Sequence, residues 1–320
     1  PMNLYPLILR PIFVEKIWGG RNLERLFAKA LPPGKNIGES WELADLPEGV
    51  TDVANGPLAG RSLNELTAEL GAELLGPAAP AEGGRFPLLL KLLDANDTLS
   101  LQVHPDAEAV RRIGGEARLK TECWYVAESR EGYIYKGMDG EVSPEQFRKA
   151  IEENRAEQFV RRYDVATGEF HYLPAGTVHA LGAGVVVAEV QTPSNTTYRV
   201  TDWGRGREIH VERSMECIHF EPASDQAPGA RGEALLSTEF FDVRLLESTA
   251  GLERTFSAGR CRALMILSAS EPVRLDCTGG GEPVEAQLGQ TVLLPAGCGE
   301  VTLRGGGAVR ILQADLPGND

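Results

Sequence analysis

Tyr172-Leu173-Pro174-Ala175-Gly176-Thr177-Val178-His179 reads as a strand, a tight Pro-Ala-Gly turn and a histidine, followed by a valine-rich run ending Glu189-Val190-Gln191. The same order returns near the other end of the chain. Leu293-Leu294-Pro295-Ala296-Gly297-Cys298-Gly299-Glu300 leads into Ala308-Val309-Arg310-Ile311-Leu312-Gln313. Two copies of strand, Pro-Ala-Gly turn and strand point to a mainly β protein built from two related β-barrels. Glu300 stands where the first copy has His179, so the second copy is expected to keep the fold and to lack a metal site. Glu221 to Gly232, between the copies, has linker composition. The expected units are therefore residues 1–225, with N-terminal strands and inserted helices, and residues 226–320.

His179 has candidate partners. In Thr98-Leu99-Ser100-Leu101-Gln102-Val103-His104 apolar and polar residues alternate, so Gln102 and His104 project from one face of a strand. Glu122 lies in Lys120-Thr121-Glu122-Cys123-Trp124, beside a run apolar enough to bury a carboxylate that would then need a partner. Gln102, His104, Glu122 and His179 together offer an amide oxygen, a carboxylate and two imidazoles. That set suits a divalent first-row cation with a coordination position open for substrate.

The rest of the chain reads as strands with helices inserted between them. Leu88–Leu90, Trp124–Val126, Val185–Val187, Ala263–Leu267 and Thr291–Leu294 are short apolar runs bounded by Gly, Pro or Asp. Regular strand-helix alternation is missing, which argues against a doubly wound sheet. Helices are expected at Ser62 to Leu75, Pro105 to Ile113 and Ser143 to Tyr163, the last opening with a Ser-Pro cap. With 42% hydrophobic residues, 320 residues bury a large core. A net charge of −14 argues against nucleic acid or an anionic membrane as partner. Neither a bilayer-spanning run nor a signal-peptide pattern is read, so a cytoplasmic protein is expected, with its five scattered cysteines reduced.

Beyond these residue-level readings, the chain resembles the short bacterial form of type I mannose-6-phosphate isomerase. Tyr172 to His179 is similar to a cupin-type metal turn. Further pieces are Lys16-Ile17-Trp18-Gly19-Gly20, Ile37-Gly38-Glu39-Ser40-Trp41-Glu42, Leu89 to Ala95, Leu99 to Pro105, Lys120-Thr121-Glu122 and Tyr198 to Arg205. The resemblance implies cupin (jelly-roll-like) barrels, zinc bound by Gln102, His104, Glu122 and His179, and a catalytic Arg199. It also implies interconversion of an aldose and a ketose 6-phosphate, with proton transfer between C1 and C2.

That chemistry asks for more than the metal. Arg199 and Lys120 would stabilise enediolate charge. Ser100, Lys91 and Arg205 are candidates for binding substrate and phosphate. The base stays open among Glu42, Glu189, Asp202, Lys120 and metal-bound water. A phosphosugar is the expected partner, and the chain is expected to be a monomer or weak homo-oligomer. Two other classes fit the bare ligand set: a cupin non-haem iron oxygenase and a non-catalytic sugar-binding cupin.

Overall fold

The structure, a computed structural model, describes residues 3–222, 233–279 and 282–318. The expected boundary at 225/226, with most of the linker-like stretch, lies outside the described residues. Strands dominate and helices are few and short. Each apolar run read as a strand is one: Leu89–Ala95, Glu122–Ser129, Val185–Gln191, Arg262–Ala269 and Thr291–Leu294.

Four sheets carry the fold. A five-stranded sheet runs Val160–Asp164, Tyr133–Met138, His179–Leu181, Leu101–Val103, Tyr198–Thr201. A six-stranded sheet runs Phe170–Leu173, Glu122–Ser129, Val185–Gln191, Leu89–Ala95, Ile37–Leu43, Ile12–Gly20. Strand side chains alternate between faces, so each sheet must be covered twice. Leu101, Val103, Ala180 and Val200 of the five-stranded sheet pack with Ala109, Phe147, Ile151 and Cys217 of the helices. On its other face Ile134 and Leu181 meet Trp18, Leu93, Trp124 and Val187 of the six-stranded sheet. The remaining face of the latter (Leu90, Leu92, Cys123, Tyr125, Val190) shares a core with Leu264, Val292 and Ile311 of a seven-stranded sheet and with Val273, Leu275 and Leu303 of a four-stranded one. Among the described residues these ladders leave every sheet with two ends rather than closing barrels.

Sequence order alone assigned Leu7–Arg10 to the first unit. Its ladders run to Thr291–Leu294 on one side and to Asp52–Val53 on the other, inside the sheet of the C-terminal residues. Leu7, Ile8 and Leu9 are all buried, and an interior strand is where successive apolar residues find cover on both faces. The helix read at Ser143 to Tyr163 is shorter than expected. Pro144–Glu152 is helical, Asn154 turns to φ 52°, and Val160–Asp164 becomes an edge strand beside Tyr133–Met138. Ser62 to Leu75 splits into two helices at Gly71.

Glu42 ties the two halves together. Its carboxylate accepts from Lys29 Nζ at 2.7 Å and from Thr291 Oγ1 at 3.2 Å, while Lys29 also donates to the Gly289 carbonyl at 2.5 Å. Both charges are buried, so removing one strands the other in a low dielectric. Lys29→Met is expected to lower unfolding stability by about 3–5 kcal/mol. Denaturant titration checks this, and a loss below about 1 kcal/mol would show that the pair carries no such weight.

Candidate metal centre

The five- and six-stranded sheets present polar side chains to each other. Cross-strand neighbours lie on one face of a sheet, and the register aligns Lys136, His179, Gln102 and Arg199 in a row across four strands. Opposite them, Trp41, Lys91, Glu189, Trp124 and His171 form a second row, with Glu122 and Gln191 beside it.

Into this gap three buried residues aim their ligand atoms. His104, Glu122 and His179 bring one atom each to within 4.8 Å of one another. Glu122 Oε1 is 3.1 Å from His179 Nε2, and Glu122 Oε2 is 3.5 Å from His104 Nε2. The Gln102 amide nitrogen lies 3.4 Å from His179 Nε2; turning the amide by half a revolution puts its oxygen there instead. Ligands about 2.0–2.1 Å from a tetrahedral ion sit roughly 3.4 Å apart, so these spacings suit one.

Three of these atoms have no hydrogen-bond partner. His104 Nε2, Glu122 Oε1 and Glu122 Oε2 are all buried and unsatisfied, which costs several kcal/mol unless something completes them. Both histidines are prepared as ligands through the other ring nitrogen. His104 Nδ1 is 3.0 Å from the Thr196 carbonyl and His179 Nδ1 2.8 Å from the Thr177 carbonyl, so Nδ1–H donates and Nε2 keeps its lone pair. The Pro-Ala-Gly turn supports this arrangement. Gly176 N–H donates to the His104 carbonyl at 2.9 Å, and at φ 88° a Cβ on residue 176 would meet the His219 ring at 2.6 Å.

Charge in the gap is arranged around the carboxylates. Burial and Lys120 push His104 down to about 3, keeping it neutral. Burial works to raise Glu122, yet Lys120 at 3.0 Å and the two histidines hold it well below the usual carboxylate range. Glu189 goes the other way, raised by burial and by Glu122 against the pull of Lys91. Glu189 Oε2 accepts from Trp124 Nε1 at 2.8 Å, whereas Oε1, 3.5 Å from Lys91 Nζ, has no hydrogen bond. Lys91 stays charged despite burial because Glu39 and Glu189 flank it. Glu39 accepts from Trp41 Nε1 at 2.6 Å and pairs with Lys16 at 3.0 Å.

Several residues named from sequence are placed here and others are not. Gln102, His104, Glu122, His179, Lys120, Lys91 and Arg199 face the gap. Ser100, two residues before Gln102, is buried, and its hydroxyl makes no hydrogen bond among the described residues. Arg205 is engaged elsewhere: it donates to the Thr98 carbonyl at 2.8 Å and pairs with Asp202 at 3.0 Å, as does Arg207 at 2.5 Å. Those pairs also occupy Asp202 as a base, and Glu42 is turned to the opposite face of its strand. Glu39 and Trp124 were missed in roles that only the strand register reveals, and the Thr196 carbonyl in one set by the loop before Tyr198–Thr201. A groove of about 1830 Å³ lined by Arg118, Thr196 and Tyr198 lies behind the Thr192 to Thr197 segment, and none of the four metal-site residues lines it.

The fold and the site define a mainly β protein with, among the described residues, one buried two-histidine, one-carboxylate cluster able to hold a metal ion. Comparison with known proteins is in accord. Residues 7–134 match the model of the phosphomannose isomerase type I catalytic domain. The mannose-6-phosphate isomerase ManA of Bacillus subtilis is 33% identical over 320 residues, covering 95% of this chain and 97% of that protein. The mannose-6-phosphate isomerase of Streptococcus mutans is 38% identical over 251 residues, 74% of this chain and 77% of its own. A crystal structure of the mannose 6-phosphate isomerase from Bacillus subtilis superposes with TM-score 0.82 at 30% identity, over 97% of this chain and 99% of that one. The chain belongs to the type I phosphomannose isomerase family and is an enzyme of that kind.

Glu39 gives the site a measurable acid limb. Burial opposes ionisation, but Lys91, Lys16 and Trp41 bring the carboxyl to about 2. A carboxylate depressed in the folded state stabilises above its unfolded value near 4.5, and the stabilisation fades as pH falls toward 2. Glu39→Gln is expected to flatten the stability curve between about pH 4.5 and 2, with a change of roughly 3 kcal/mol. Urea midpoints across that window check it, and unchanged pH dependence would remove Glu39 from this role.

Proposed function

We propose that this chain interconverts mannose 6-phosphate and fructose 6-phosphate in the gap between the five- and six-stranded sheets. One observation carries the reading: a cluster of unsatisfied ligand atoms beside a buried carboxylate, Glu189, whose Oε1 accepts no hydrogen bond and is met only by the Lys91 ammonium at 3.5 Å. Gln102, His104, Glu122 and His179 would hold one divalent ion, with zinc the first expectation because imidazole and carboxylate suit it. Bound there, the ion would supply Lewis-acid polarisation of the oxygens at C1 and C2.

The chain's own residues perform the transfer. From open-chain mannose 6-phosphate, the Glu189 carboxylate takes the proton at C2, and the C2–H electrons form the C1–C2 double bond as the C1=O π pair moves onto O1. Glu189 then delivers the proton to C1, which the C1–C2 π pair accepts, while the O2–H pair closes the C2=O bond and that hydroxyl proton passes to O1, giving the ketose. A carboxyl raised by burial is a stronger base than a free one, which matches the task. Lys91 keeps Glu189 ionised before the transfer. Arg199, with a buried Nε that lacks a partner, and Lys120 would stabilise negative charge on the sugar oxygens. Ser100 and Lys91 remain substrate-binding candidates; Arg205 would reach phosphate only by exchanging its Asp202 contact.

The wider reading goes with this function. The paired sheets are read as two cupin-type barrels, divided near residue 225, in a cytoplasmic monomer or weak homo-oligomer that takes a phosphosugar. No helix of the described residues is long and apolar enough to cross a membrane.

A coupled assay on mannose 6-phosphate tests the proposal. Chelator should abolish turnover and a divalent ion restore it. His104→Ala and His179→Ala should each lose metal by mass spectrometry. Glu189→Gln should keep metal and lose roughly 10²- to 10⁴-fold in kcat, whereas Arg199→Ala should keep metal and lose about 10²-fold. Metal-replete protein without turnover, or with substrate-dependent oxygen uptake, would overturn the reading.

A further inference from the structure

The cations in and near the gap are not alike. Lys91 sits between Glu39 and Glu189, Lys120 lies against Glu122, and Arg205 and Arg207 share Asp202. Among the described residues, two cations in the row across the five-stranded sheet form no ion pair with a carboxylate. Arg199 spends one guanidinium nitrogen on the Glu208 carbonyl at 2.8 Å. Lys136 has neither hydrogen bond nor ion pair among the described residues, although it is half-buried. They stand at opposite ends, with His179 and Gln102 between them.

An unpaired, half-buried ammonium is costly and unusual in a folded protein. Burial lowers the Lys136 pKa, and its charge is felt across the gap by His171, whose Nδ1 is buried without a partner. The chain has 46 acidic residues, yet among the described ones none pairs with this lysine. A group left uncompensated beside a ligand cluster is positioned to receive its counter-charge from solution.

We propose that Lys136 supplies the cation that binds the phosphate group of the sugar, at the end of the row opposite Arg199. This deepens the isomerase reading and rests on it for the identity of the sugar. Three strand spacings separate the Lys136 and Arg199 backbones, about 14 Å, with the metal-site residues between. A six-carbon phosphosugar in its open form can then set C1 and C2 against the metal-site residues while its dianion lies toward Lys136. The phosphate gives Lys136 the charge partner that the protein withholds, and an unphosphorylated hexose would leave it unpaired.

The test compares wild type with Lys136→Met, which keeps the apolar stem, and Lys136→Arg, which keeps the charge. Charge-assisted hydrogen bonds are worth about 1.5–3 kcal/mol, roughly ten- to a hundredfold in binding. Lys136→Met should raise KM for mannose 6-phosphate and the inhibition constant of inorganic phosphate by at least about tenfold. Its kcat at saturation and its metal content should stay near wild type, and Lys136→Arg should recover most of the affinity. Unchanged KM and phosphate inhibition would overturn the proposal, as would loss of metal and kcat together, which marks a structural lysine. Calorimetric titration of inorganic phosphate into the metal-replete proteins reads Lys136 without turnover. Wild type binding and Lys136→Met not binding supports the assignment even if no sugar reacts; equal binding refutes it.

Discussion

Burying an anion with nothing to complete it is the constraint around which this molecule is arranged. Both oxygens of Glu122 and the Nε2 of His104 are shut away from water without hydrogen bonds, and Lys120 at 3.0 Å gives only partial relief. A fold tolerates such a cluster when a cation completes it. The supporting parts all serve to keep the donors aimed at one point: Thr196 and Thr177 carbonyls behind the rings, Gly176 packed against His219, Trp124 edge-on to His179. Each is held by a sheet or by a turn clamped between sheets. The site therefore inherits its rigidity from the layers on either side.

Around the cluster, charge is graded by pairing. A chain of alternating charges runs from half-buried Lys16 through Glu39 and Lys91 to Glu189, so the candidate base is held by a network that reaches the protein surface. A protein of net charge −14 thus turns lysines and an arginine inward. An anionic sugar would find there the opposite of the field it meets outside, and focused fields of that kind raise both affinity and encounter rate.

How much of this could be read from the chain differs residue by residue. Period-two alternation was enough to set Gln102 and His104 on one strand face, because a strand allows no other reading. The turn before His179 identified itself by Pro-Ala-Gly. Glu42 and Glu189 were indistinguishable as bases: choosing between them requires knowing which face of each strand meets which sheet, and Glu42 meets Lys29 across a sequence gap that extends to Thr291. Leu7–Arg10 pairing with Thr291–Leu294 is equally non-local and leaves no trace in composition. Most of the strand Val160–Asp164, as far as Tyr163, was read as helix because its charged side chains suit a solvated helix face as well as an exposed sheet edge. Lys136 was invisible for a related reason, since its significance lies in a partner that is missing.

The central claim is that a single divalent ion sits among Gln102, His104, Glu122 and His179. Anomalous diffraction collected on either side of the absorption edge of the bound metal, from crystals of metal-replete and active protein, tests it directly. The account requires one peak, roughly 2.0–2.2 Å from His104 Nε2, His179 Nε2 and a Glu122 oxygen. An active crystal with no peak there, or with its only peak elsewhere, would contradict it.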